Sequence, residues 1–135
     1  MRRLASTAVL MLAVASGGVR GAVAEPSDEV AGAFVFRTYC VRCHGTEGRG
    51  DGPMSENLSY QPPDLSLIAK RNGGKFPADR VRKIVDGRRG VKGHVGADMP
   101  MFGDVFRNGA AGDDPELAEL RIRAVVAYLQ TLQRR

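Results

Sequence analysis

The stretch YCVRCHG, residues 39–45, holds both cysteines of this 135-residue chain and one of its two histidines. Thiols three positions apart stand about one helical turn from each other, and the imidazole of His44 follows directly. Any fold of this chain therefore brings Cys40, Cys43 and His44 to one place. Which chemistry they perform depends on the compartment, and the first residues bear on that. Arg2 and Arg3 make a basic start, an apolar run extends from about Leu4 to Ala15, and Ala22-Val23-Ala24 is a small-x-small cleavage site. Residues 1–24 are expected to be a secretory signal peptide cut after Ala24, leaving 25–135 as a single mature domain. A retained membrane anchor is the alternative, but the apolar run is far short of the roughly 20 residues that span a bilayer.

Cleavage would remove Arg2, Arg3 and Arg20, leaving 17 basic against 15 acidic residues, a net charge of +2 in place of +5. The two signs are interleaved and aromatics are few, so nucleic acid is not an expected partner. The mature part, 111 residues, carries 14 of the 17 glycines and no tryptophan. Side chains alone would give so small a domain a thin core, and a bound group is expected to fill its centre.

Three chemistries accept C-x-x-C-H. A redox or structural disulfide suits an exported chain, but a thioredoxin-like motif follows a strand, and none precedes Cys40. Zinc wants four ligands; Cys40, Cys43 and His44 supply three, and no second C-x-x-C or H-x-x-H pair completes the set. Covalent haem attachment fits best. Thiols one helical turn apart can add to the two vinyl groups of one porphyrin, with Cys40 and Cys43 as thioether residues and His44 as the proximal iron ligand.

Around this motif the pattern predicts an all-α chain with long glycine-rich loops. A first helix is expected from Ser27, as its cap, to about His44, with Val30, Phe34 and Val41 at helical spacing. Gly32 inside it costs about 1 kcal/mol relative to alanine, which a close crossing by another helix would explain. Residues 45–63, rich in glycine and proline, should be irregular. A short helix over Asp64–Ala69 and another after Phe76-Pro77, with Val81, Ile84 and Val85 on one face and Gly87 as its stop, come next. In the last helix Asp114 caps, Pro115 opens the first turn, and Ile122, Val125, Val126 and Leu129 form the stripe; Arg134 and Arg135 would sit at its negative end.

The second side of the iron has four candidates: Met54, His94, Met99 and Met101. Met54 lies only ten residues beyond His44 and would have to cross the porphyrin on a short tether. Met99 is favoured, because Pro100 holds it extended and stiffens the loop, while Phe102 and Phe106 can seal the haem from water. Met101, His94 and an open sixth position stay as alternatives. Arg71, Asn72 and Lys75 are loose candidates for the haem propionates.

These residues resemble the class I c-type cytochromes, and the resemblance spans nearly all of the mature chain. Beside the C-x-x-C-H of Cys40 to His44, Met99-Pro100 stands where such proteins carry their axial methionine, and Gly32 and Phe36 fill the family's glycine and aromatic places in the first helix. The resemblance implies that this pair packs on Val125 and Tyr128. It also implies that the Pro53 carbonyl, in the Gly52-Pro53 element, accepts a hydrogen bond from the His44 imidazole, and that three main helices surround one haem c. The implied function is a periplasmic one-electron carrier, not an enzyme, meeting redox partner proteins transiently at the haem edge, with no stable membrane insertion. Two alternatives are a haem c subunit of a larger dehydrogenase or oxidase complex and a haem sensor or peroxidase with an open iron. After His94 there is no further histidine to serve peroxidase chemistry.

Overall fold

A computed structural model of the chain describes residues 27–89, 98–109 and 112–134. The expected signal segment, His94 and Arg135 lie outside the described residues. Among the described residues six helices run in the order α1 (Asp28–Tyr39), α2 (Val41–His44), α3 (Ile68–Arg71), α4 (Ala78–Asp86), α5 (Phe102–Arg107) and α6 (Pro115–Thr131). Short 3-10 turns occupy Ser55–Asn57 and Leu65–Leu67, and a two-residue antiparallel ladder pairs β1 (Asn108–Gly109) with β2 (Gly112–Asp113). The fold is the expected all-α one. Among the described residues no helix is long and apolar enough to cross a membrane.

The α1–α6 crossing organises the core. At Gly32 a Cβ would overlap the Ala124 carbonyl oxygen and stand 2.8 Å from Tyr128 Cβ, so the two backbones are in contact there. That approach places Phe36 and Val125, each 1% exposed, at the centre of the core, with the Phe36 and Tyr128 rings 5.4 Å apart. The same crossing decides which side of α1 faces outward. Val30 and Phe34, counted among its apolar positions, lie on the solvent side, 61% and 65% exposed.

Helix ends differ in detail from expectation. Ser27 occupies the N-cap position of α1 in extended backbone, but its side chain makes no cap bond; its carbonyl accepts from the Ala31 amide instead. The expected single helix to His44 is interrupted at Cys40, which leaves α2 as a separate turn. Asp114 does cap α6, accepting from the Leu117 amide at 2.9 Å, and Gly87 stops α4 in the left-handed conformation at φ 93°. The helix α5 has no counterpart in the local pattern. It forms where Phe102 and Phe106 bury against Tyr39, with ring centroids 6.1 and 5.1 Å away.

Arg134, just beyond the end of α6, finds its partners across the fold. Arg134 donates to Asp64 at 2.7 Å and to the Ser66 hydroxyl at 2.8 Å, and its amide bonds the Ser66 carbonyl. Gln133 reaches the Leu65 carbonyl and accepts from the Ala69 amide. Asp64 in turn caps the 3-10 turn through the Ser66 amide. Partial burial by itself would raise the Asp64 carboxyl. The Ser66 hydroxyl and amide, followed by Arg134, outweigh it and hold the group below its ordinary 3.8. A depressed carboxylate stabilises the fold above its unfolded pKa, and that contribution fades as pH falls through the folded value. Arg134→Ala is therefore expected to lower the unfolding midpoint at pH 7, by an amount that shrinks as pH drops below about 4 and Asp64 is protonated, measured by urea denaturation across pH 3 to 7.

Candidate functional site

The end of α1 and the turn α2 carry Cys40, Cys43 and His44. Backbone bonds continue through them, Cys40 amide to Phe36 carbonyl at 2.9 Å and His44 amide to Cys40 carbonyl at 2.9 Å, so the motif extends the first helix across a break. The glycine-rich loop that follows folds back over this turn. The amide of Gly50 bonds the His44 carbonyl at 2.8 Å, that of Gly52 the Cys43 carbonyl at 3.3 Å, and that of Met54 the Arg42 carbonyl at 2.8 Å. Pro53 is thus pinned between two bonds to α2. Only glycine fits at 52, since a Cβ would lie 2.5 Å from the carbonyl oxygens of both Val41 and Arg42.

No disulfide joins Cys40 and Cys43. Burial, with a smaller contribution from Cys43, pushes Cys40 up to about 12. A thiol so raised is a poor nucleophile at neutral pH, the reverse of a thioredoxin-like centre. Zinc fares no better: among the described residues no three His, Cys, Asp or Glu side chains gather to hold a metal ion.

Beside the motif lies a cavity of about 410 Å³. Cys40, His44 and Met99 line it, and its walls are mainly apolar, with Phe36 of α1, Ile68 of α3, Val81 and Val85 of α4, and Val125 and Leu129 of α6. Arg71, Asn72 and Arg80 supply the polar part of the lining. A smaller cleft of about 60 Å³ shares Cys40, His44, Pro63 and Met99 with it and adds Cys43. Of the candidate sixth ligands, Met99 alone among the described residues lines these spaces. Met54 and Met101 are 37% and 53% exposed and line neither. Lys75 does not reach the cavity, and Phe106 packs in the aromatic cluster, leaving Phe102 as the phenylalanine of the pair at the cleft. Arg80 was not foreseen. It shares the cavity face of α4 with Val81 and Ile84, a stripe whose charged member is easily taken for surface.

An apolar cavity lined by one thiol, an imidazole and a thioether, with two guanidinium groups in its polar part and the second thiol on the adjoining cleft, matches a flat macrocycle that is apolar over most of its area and carries two carboxylates. Residues 29–133 match the family model described as cytochrome c. The chain belongs to the cytochrome c family, whose members carry electrons on a covalently bound haem c. No curated protein and no solved structure gave a significant match.

Proposed function

We propose that this protein is a periplasmic one-electron carrier whose single haem c is joined through Cys40 and Cys43, with the iron held between His44 and Met99. The observation that carries this reading is the convergence of Cys40 and His44, from one motif, and Met99, from a loop 55 residues further on, on one apolar cavity. The haem supplies an iron that alternates between Fe(II) and Fe(III), and Met/His ligation raises its potential. The chain's own residues do the rest. The strap over α2 holds Pro53 beside the motif, and its carbonyl is assigned to the His44 N–H, fixing the ring's orientation and donor strength. Arg71, Asn72 and Arg80 are assigned to the propionates. Apolar side chains of α1, α4 and α6 exclude water and so limit the solvent rearrangement that accompanies a change of charge. Redox partner proteins would meet the site on the Cys43 side through a small, transient interface.

Optical spectra of the purified protein, oxidised and reduced, test this. A low-spin haem c spectrum is expected, with a weak far-red sulfur-to-iron band that disappears in Met99→Ala and persists in Met101→Ala. A high-spin wild type that binds carbon monoxide readily would replace the carrier with a sensor or enzyme.

A further inference from the structure

The loop that carries Met99 is held at both ends. On the C-terminal side Met101 packs over the end of α4, where a Cβ on Gly87 would lie 2.7 Å from Met101 Cβ, and the Met101 carbonyl accepts the Asp104 and Val105 amides at 3.1 and 3.2 Å. On the N-terminal side the Asp98 carboxylate accepts a 2.8 Å hydrogen bond from the Ser59 amide, 39 residues away in sequence. Neither Asp98 nor Ser59 caps a helix, so local structure gives no reason for this bond. Its location does. Leu58 and Tyr60, on either side of Ser59, face Asp98 and Met99 across the small cleft that opens on Cys43 and His44. The bond thus ties together two walls of that opening. Asp98 and Met99 are adjacent at a bend in the chain, and Pro100 restricts the Met99 backbone from the other side, so a displacement of Asp98 passes to Met99.

We infer that the Asp98–Ser59 hydrogen bond is a latch that positions Met99, holding its loop closed against residues 58–60 and keeping foreign ligands from displacing the sulfur. This rests on the Met99 ligation proposed above. Asp98 is a positioning residue: it acts through Met99 and does not touch the iron.

The test uses the ferric, haem-loaded protein as wild type, Asp98→Ala, Asp98→Asn and Met99→Ala, titrated with imidazole while the far-red band is followed. Asparagine keeps an oxygen that can accept the Ser59 amide, so it serves as the conservative rescue. Imidazole is expected to bind Asp98→Ala about tenfold more tightly than wild type, the scale of one hydrogen bond to a charged acceptor, and Asp98→Asn within about twofold. Amide exchange at Ser59 should accelerate in Asp98→Ala alone. Equal imidazole affinity in wild type and Asp98→Ala, or a Ser59 amide equally protected in both, overturns the latch. Failure of the underlying ligation looks different: the band is missing from wild type, or survives Met99→Ala, and both readings fall together.

Discussion

Gly32→Ala is expected to destabilise the protein by about 2–3 kcal/mol, although alanine is the better helix former. Two effects oppose each other at this position. Intrinsic propensity favours alanine by about 1 kcal/mol inside a helix. Against it, the new methyl would overlap the Ala124 carbonyl oxygen and press on Tyr128 Cβ. The first of these obstacles is backbone, which cannot rotate away as a flexible side chain would, so α1 and α6 must separate. Separation loosens Phe36 and Val125, the most deeply buried residues of the crossing, and overpacking of this kind typically costs 1–3 kcal/mol on its own. The upper end is expected here, and Gly32→Val should be worse. For a domain whose total stability is of the order of 5–15 kcal/mol, the loss shows as a large drop in the urea midpoint of the haem-loaded protein. A variant about 1 kcal/mol more stable than wild type would mean that propensity governs and that the helices are not in contact at this point.

Gly32 also shows how far local patterns reach. The glycine was legible as a cost in need of a reason, and the reason is a helix more than 90 residues later. Where cap, proline and stripe agree, as in α6, the sequence suffices. It fails where the decisive partner is remote. The run around Val30 and Phe34 is apolar on more than one side, and only the crossing with α6 determines which side is buried. Arg134 looks like a helix-dipole cation because Asp64, its actual partner, is 70 residues away. The six residues of α5 are too few to express a helical period and include Gly103, so nothing short of the buried aromatic cluster with Tyr39 calls for a helix there. Arg80 was hidden for a related reason: a guanidinium on an apolar stripe makes sense only once the cavity beside it contains something anionic.

Replacing both Cys40 and Cys43 by serine is expected to leave a chain that retains little haem under denaturing conditions and that, freed of haem, does not hold its fold. The first part is chemical. Without thiols no thioether forms, so acidified organic solvent should extract the haem from the variant and not from wild type, and mass spectrometry should find the double variant at its unmodified mass. The second part follows from the cavity. Without haem the largely apolar space of about 410 Å³ beside His44 would be open to water, and the apolar side chains that line it would lose the burial that haem would give them. Collapse would recover part of it, but the walls come from α1, α3, α4 and α6, and closing them would undo the α1–α6 crossing. If haem fills this space as proposed, it would be a core element of the fold alongside Phe36 and Val125, and the glycine-rich loops would wrap a large rigid group where side chains are too few to fill the centre. Far-ultraviolet circular dichroism of the extracted double variant decides the point. Loss of most helical signal at 25 °C is expected, and a haem-free chain with full helicity and a cooperative unfolding transition would show that the protein's own side chains suffice.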